Sequence, residues 1–311
     1  MPVEKVIKVN FSRYNTAMIL VTGGTGFVGR ALIRQLRQAD YPVRTLLRPS
    51  PKSPNLPQGV AVDVVLCSLN DERGLRAAMK GVKVVYHLAG SERLSTKADL
   101  NQVDIAGTEA IVRAASQAGV EKLIFLSHLG ADRQSAFAVL KAKGIAEHLI
   151  QQGGVPYVIL RSAVAYGPGD AFTEPLARVL RRSPGFFFIP NDGRGLIQPL
   201  WIEDLVTCMV MALEDERLVG QVTNLGGIEA LTIRDVVRAI CQQLGVRRLL
   251  LHLPVKRLRS LALFLEQTGN FPLSIYWMDY LSYDRTCPLD SVPRQFGLLP
   301  ARFHQQLGYL R

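Results

Sequence analysis

Residues 18–30, MILVTGGTGFVGR, constrain the fold more than any other stretch of the chain. The apolar run from Met18 to Val21 leads straight into Gly23, Gly24, Gly26 and Gly29. An amphipathic segment follows, with Val28, Leu32, Ile33 and Leu36 at helical spacing. The glycines read both as GxxGxxG (23, 26, 29) and as GxGxxG (24, 26, 29). A strand turning sharply into a helix needs such residues where a pyrophosphate must approach the backbone, because a Cβ would stand in its way. The helix start then offers free N–H groups and the positive end of its dipole. A tight turn with no ligand is the ordinary alternative; the strand before and the helix after argue for a dinucleotide site.

Strand-like runs at 18–22, 43–47, 60–66, 83–88, 122–127 and 156–160 alternate with helix-like segments at 27–39, 71–80, 99–118 and 136–152. That alternation predicts an α/β chain, a Rossmann-type doubly wound parallel sheet. VKVVYHLA and EKLIFLS are apolar through their centres, as strands covered on both faces are. Beyond about residue 166, helices at 172–182, 203–213, 232–244 and 254–266 mix with short strands around 186–190 and 221–225. They predict a smaller mixed C-terminal lobe over the carboxyl ends of the strands. The expected division is a disordered extension over 1–17, a dinucleotide-binding domain over 18–170, and a lobe over 171–311, with 196–230 returning in part to the main domain.

Composition narrows the function classes. Although 48% of residues are hydrophobic, no run approaches the roughly 18 to 20 apolar residues of a membrane span. Residues 1–17 have no apolar core of a signal peptide. The expectation is therefore a cytoplasmic protein without a transmembrane segment, peripheral at a membrane surface in one reading. The net charge of +11 is spread along the chain, with no stacking or helix-turn-helix motif, which argues against nucleic acid. A phosphate-bearing cofactor, an acidic substrate or an anionic surface accounts for it. Cys67, Cys208, Cys241 and Cys287 are scattered, without CxxC pairs or histidines at ligand spacing, so neither a disulfide framework nor a metal is implied.

The second strand points to the cofactor. An NAD site places Asp or Glu about 20 residues past the glycines to bond the ribose. Here Val43–Leu47 runs into Arg48, with Lys52 close behind and no acid at the strand end. A guanidinium at that place stacks on adenine and pairs with a 2′-phosphate, favouring NADP(H) over NAD(H). A solvated loop arginine is the alternative.

In order along the chain, VTGGTGFVGRALIRQL, VVYHLAG, VDIAGTEAIVRAASQAGVEKLIFLSHLGAD, VILRSAVAYGPGD, QPLWIEDL and NLGGIEALTIRDVV resemble the short-chain dehydrogenase/reductase superfamily. Within it they resemble the atypical branch, related to nucleotide-sugar epimerases, that includes the Rossmann-like accessory subunit of respiratory complex I. FPLSIYWMDYL and FGLLPARFHQQLGYL resemble that branch's C-terminal end. The resemblance implies a phosphate loop at Gly23, Gly26 and Gly29, with Thr25, Phe27 and Val28 facing the pyrophosphate. It implies that Leu88, Ala89 and Gly90 underlie the adenosine ribose. Ser127 would close the fifth strand near the nicotinamide, and Arg161, Ser162 and Ala163 would lie beside its amide, with Ser162 where proline is usual.

Catalytic members of the superfamily carry Tyr and Lys four apart on one helix, so that both share a face. Two alignments compete here: Phe137 with Lys141, and Val139 with Lys143, the latter followed by Gly144-Ile145-Ala146-Glu147 as in the atypical pattern. The two lysines point about 200° apart, so only one faces the cofactor. Lys143 is the better match, against a surface lysine pairing with Glu147. In either alignment the tyrosine hydroxyl is missing. His128 and Tyr166 are candidate replacements, and Ser91, Glu92 and Arg93 are candidate substrate contacts. The catalytic candidates are thus Ser127, Lys143 and His128.

In the lobe, Phe186-Phe187-Phe188-Ile189 reads as a buried strand. Segment 254–266 reads as a lobe helix with a charged first turn, or as an amphipathic membrane or partner contact. Ile275, Tyr276, Trp277, Met278 and Tyr280 complete the core or border an apolar pocket. Two functions follow from the resemblance. One is NADP(H)-dependent hydride transfer to a small-molecule carbonyl or quinone-like acceptor. The other is a non-catalytic NADP(H)-binding subunit or assembly factor with a membrane-complex partner.

Overall fold

The computed structural model describes residues 14, 16–49, 55–91, 98–267, 275–280 and 283–311. Lys52, Glu92 and Arg93 lie outside these. The glycine-rich turn joins β1 (Met18–Thr22) to α1 (Phe27–Gln38), and β2 (Val43–Leu47) follows. Then come β3 (Asp63–Leu66), α2 (Glu72–Ala78), capped by the Asp71 carboxylate on the Gly74 N–H, and β4 (Val82–His87). A π-helical turn (Leu100–Ala106) runs into α3 (Gly107–Gln117). β5 (Lys122–His128), α4 (Ala138–Gln152) and β6 (Tyr157–Ser162) complete the alternating half.

These six strands and a seventh, β11 (Gln221–Leu225), form one parallel sheet in the order β11-β6-β5-β4-β1-β2-β3. The order reverses between β1 and β4, the place where such sheets open a ligand crevice. The seventh strand, β11, comes from the second half of the chain.

That half begins with β7 (Ala165–Tyr166), α5 (Thr173–Arg182) and β8 (Phe186–Pro190). It continues through β9 (Leu196–Ile197), β10 (Leu200–Trp201), α6 (Ile202–Glu214) and β11 (Gln221–Leu225). Next are β12 (Leu231–Thr232), α7 (Ile233–Leu244), β13 (Leu249–Leu253) and α8 (Val255–Gln267). Two short helices, α9 (Ile275–Tyr280) and α10 (Ser291–Phe296), precede a terminal 3-10 turn over Phe303–Leu310. Three two-stranded sheets pair β7 with β10, β9 with β12, and β8 with β13.

Three apolar clusters hold the molecule, one of them joining Leu20, Leu75, Val85, Ile111 and Phe125 of the first half. α6 packs on α1, and its Leu205, Val206 and Met209 join Ile19, Val21, Leu32 and Leu36 beneath the main sheet. Leu176, Leu180, Val236, Ile240, Trp277 and Phe303 form the second core, in the lobe. Within 196–230, α6 packs on α1 and β11 pairs with β6 at the edge of the main sheet.

Three expectations need correction. Tyr14 is buried in the first core, with the Lys122 ammonium 5.7 Å from its ring centroid, so the proposed disorder of 1–17 fails there. The helix read as continuous over 99–118 opens into a π turn over its first seven residues, which turns Asp104 inward. The Phe186–Ile189 strand is buried on one side only. Phe187 and Ile189 are covered, while Phe186 and Phe188 are exposed, the period of two expected of a small sheet with one open face. In α8, Lys256, Arg257 and Arg259 are exposed and Leu258 is buried. Among the described residues no helix is long and apolar enough to cross a membrane.

Candidate functional site

The reversal point opens into a cleft of about 680 Å³, walled by the glycine turn, the ends of β2 to β4 and the loop after β4. Gly23 sits at φ 73°, and a Cβ there would lie 2.8 Å from the backbone of Leu88 and Ala89. Any side chain at 23 would therefore collide with the neighbouring strand end. A Cβ on Gly29 would strike the Gly23 carbonyl, so α1 can start tight against the turn only with glycine there. No side chain caps α1 at Gly26, leaving its first N–H groups open for an anion.

Of the residues expected to hold the cofactor, Gly23, Thr25, Gly26, Arg48, Leu88, Ala89 and Gly90 line the cleft. Leu47, Leu66, Cys67 and Leu69 form an apolar slot at its far end. Arg48 is exposed at the mouth and is the one charged side chain among the described lining residues; it meets no described carboxylate. Phe27, Val28 and Gly29 lie in the first turn of α1, behind the lining rather than in it.

A buried polar chain ties the strand ends together. The N–H groups of Leu88 and Ala89 donate to Thr22 Oγ1, 3.2 and 3.4 Å away. Thr22 Oγ1 lies 2.7 Å from His87 Nδ1, and His87 Nε2 lies 2.9 Å from Thr108 Oγ1. Thr108 in turn donates to the Asp104 carbonyl. Every member is satisfied when His87 is neutral, with its proton on Nε2. Burial, helped by the Lys143 charge, pulls the His87 pKa down to about 3. The imidazole is therefore a structural strut, not a proton donor at neutral pH.

Lys143 and Ser127 lie one layer below the cleft surface. Lys141 is exposed on α4, while Lys143 is 5% exposed and pairs with Asp104, itself 1% exposed, at 3.2 Å. Asp104 also accepts from the N–H and hydroxyl of Ser91, which lines the cleft. The lysine thus reaches the cleft wall through Asp104 and Ser91. The alternative, a surface pair with Glu147, is not what forms. Glu147 is buried and takes two hydrogen bonds from Arg161, at 2.9 and 2.6 Å, and one from the Ser127 hydroxyl at 2.5 Å. With its proton committed to a carboxylate, Ser127 is an acceptor only. Arg161 faces Glu147, and the Ser162 hydroxyl donates to the Ala163 carbonyl, so Arg161, Ser162 and Ala163 stand outside the cleft lining. Side-chain pairing within the protein, absent from any local pattern, explains these departures.

Beyond β5 lies a smaller recess of about 50 Å³, lined by His128, Phe137–Leu140, Tyr276, Tyr280 and Arg285. Both positions weighed for the missing tyrosine, Phe137 and Val139, face it, and neither carries a hydroxyl. His128 is the one histidine in its wall. Tyr166 is fully buried against Trp201 and Phe303, and burial pushes its pKa well up, so it packs rather than donates. Sequence reasoning missed Asp104 and Arg285, and did not foresee Glu147 as the partner of Arg161 and Ser127. The four cysteines are free, and the described residues contain no cluster of three or more metal-ligating side chains.

Residues 23–169 match a family of NAD(P)H-binding domains. The chain is 29% identical over 239 residues to a ceramide reductase of Caulobacter vibrioides, covering 76% of this chain and 74% of that one. It is also 29% identical to subunit 9 of the NADH dehydrogenase 1 alpha subcomplex of Arabidopsis thaliana, over 70% of this chain and 55% of the subunit, little more than half the relative's length. Among solved structures, an epimerase from Methanothermobacter thermautotrophicus superposes with a TM-score of 0.75 at 19% identity, covering 96% of this chain and 91% of that one, a likeness of fold.

Proposed function

We propose that the chain, whose residues 23–169 match NAD(P)H-binding domains and which is similar to reductases, is an atypical short-chain dehydrogenase/reductase, and on that premise an NADPH-dependent reductase of a carbonyl or quinone-like acceptor. The observation that carries the cofactor preference is the cleft lining, in which Arg48 is the one charge and no described carboxylate stands ready for a free 2′-hydroxyl. The glycine cradle fits the cofactor, since Cβ atoms on Gly23 and Gly29 would close it. When bound, the nicotinamide supplies the hydride.

The protein's own residues do the rest. Gly23, Thr25 and Gly26 frame the pyrophosphate beside the open N–H groups at the start of α1, and Arg48 pairs with the 2′-phosphate. Lys143 fixes Asp104 and hence the Ser91 wall. His128, at the recess mouthed by Phe137 and Val139, gives the proton to the acceptor oxygen in place of tyrosine, or water does. The absent hydroxyl and the commitment of Ser127 to Glu147 favour a second reading: a non-catalytic NADP(H)-binding subunit or assembly factor of a membrane redox complex, peripheral at the membrane. In the first reading the protein works in the cytoplasm.

Calorimetric titration with NADPH and NADH, repeated on Arg48→Ala, tests the reading. Loss of Arg48 should weaken NADPH by about tenfold, roughly 1.4 kcal/mol, and leave NADH unchanged. Equal affinity of the wild type for both cofactors would remove the Arg48 argument. Consumption of NADPH with decylubiquinone or an aliphatic ketone supports the reductase, and tight binding without consumption supports the subunit.

A further inference from the structure

The recess beyond β5 holds a buried charge for which the proposed reduction has no use so far. Arg285 is 8% exposed. Its backbone is pinned by a bridge to Ile197, with its N–H 2.8 Å from the Leu196 carbonyl. Its Nε donates to the Tyr280 carbonyl at 3.1 Å, and its guanidinium lies 4.3 Å from the centroid of the Tyr280 ring. Among the described residues no carboxylate lies within ion-pair distance of it, and its two Nη nitrogens donate to none of them. A guanidinium keeps its charge at every pH the fold survives. Burying it without a counter-charge is unfavourable, since removal from water is not offset by a partner. Packing on Tyr280 accounts for the stem and Nε but not for the fork.

Arg285 helps line the recess that His128, Phe137 and Tyr276 also line. At about 50 Å³ the recess takes a small terminal group, not a whole acceptor, and apart from Arg285, His128 and the two tyrosines its lining residues are apolar. A planar anion with two oxygens matches the two Nη nitrogens in a fork–fork pair.

We propose that Arg285 is the specificity-determining residue of the acceptor site, binding the carboxylate of an acceptor whose apolar body lies against Phe137, Tyr276 and Tyr280. The proposal rests on the reductase reading, in which His128 serves the same recess. It narrows the substrate class to acidic, apolar carbonyl compounds.

The test is calorimetric titration of the full chain, with and without saturating NADPH, using octanoate and its neutral isostere octanamide. The expected result is at least tenfold tighter binding of octanoate, a preference abolished in Arg285→Gln while NADPH affinity and the melting temperature stay near wild type. A purely structural arginine would shift stability without separating the two probes. Equal binding of both probes, binding of neither, or an octanoate preference that survives Arg285→Gln overturns the proposal. If Arg285→Gln does not fold, Arg285→Lys, which keeps the charge but loses the fork, must cut octanoate affinity several-fold and spare octanamide; unchanged octanoate binding overturns the site. Failure of the reductase reading shows separately, as absent NADPH binding or absent NADPH consumption alongside an intact, Arg285-dependent octanoate preference.

Discussion

The glycine-lined cleft and the recess beyond β5, the adenosine side and the reaction end of the proposed reading, flank the same strand, β4, yet they are built by different means. The adenosine side is made of backbone. Its shape depends on where Cβ atoms are absent, at Gly23 and Gly29, and on N–H groups left open at the start of α1. The reaction end is made of side chains that hold one another across distant segments: Lys143 with Asp104, Glu147 with Arg161 and Ser127, Arg285 with Tyr280. A backbone site tolerates drift in the side chains around it, whereas a side-chain site changes its chemistry when one member changes. In the proposed reading, this difference lets the glycine cradle persist where no tyrosine hydroxyl faces the recess.

The sharpest way to break that contrast is at Glu147. Glu147→Ala removes the acceptor of both the half-buried Arg161 guanidinium and the buried Ser127 hydroxyl. Orphaning a fully buried partner costs roughly 3–5 kcal/mol. Arg161 is 29% exposed and can recover water, so about 2–3 kcal/mol is expected here. Urea denaturation should show that loss, and NADPH affinity in the folded fraction should change little. Glu147→Gln, which still accepts from Ser127, should lose less. A change below about 0.5 kcal/mol in Glu147→Ala would mean that side-chain pairing does not hold the reaction end.

The same contrast governs what could be read from sequence. The β1–α1 turn was legible because its requirements are local: four glycines, one apolar run and one helical stripe state them completely. That Lys141 and Lys143 would not share an environment was also legible, since helix periodicity turns one of the two inward, and Lys143 is the buried one. Glu147 was visible as a residue but not as a partner of Arg161, fourteen positions away on another element. Asp104 was hidden because the π turn that swings it inward has no composition signature distinct from an α-helix. Arg285 and Tyr14 needed tertiary packing to gain meaning, because a single residue in an irregular segment carries no period. The open side of β8 escaped because a run of three aromatics masks the alternation that the sheet imposes.

A smaller effect probes the strut between the two regions. His87 titrates near 3 in the folded protein and near 6.5 when unfolded. As pH falls, the unfolded chain takes up the proton first, so the stability present above pH 6.5 is lost progressively between 6.5 and 3. At pH 5 this one group should reduce stability by roughly 2 kcal/mol relative to neutral pH. Urea titrations at pH 7.5 and 5.0 measure it, and in His87→Gln the part of the slope due to this residue should vanish. If the slope is the same in both proteins, His87 takes up no differential proton, and the neutral strut joining Thr22 to Thr108 is not what stabilises the strand ends.

The smallest expected effect tests the helix face itself. Lys141 is exposed on α4, and no described carboxylate pairs with it. Alanine is a slightly better helix former than lysine, so Lys141→Ala should shift stability by less than about 0.5 kcal/mol. NADPH affinity should stay within twofold of wild type, because the cofactor wall is held by Lys143 through Asp104 and Ser91 rather than by its neighbour two positions earlier. A several-fold loss of NADPH affinity in Lys141→Ala, without loss of stability, would reverse the assignment. It would put Phe137, not Val139, in the place of the missing tyrosine and move the reaction centre one helical step toward the start of α4.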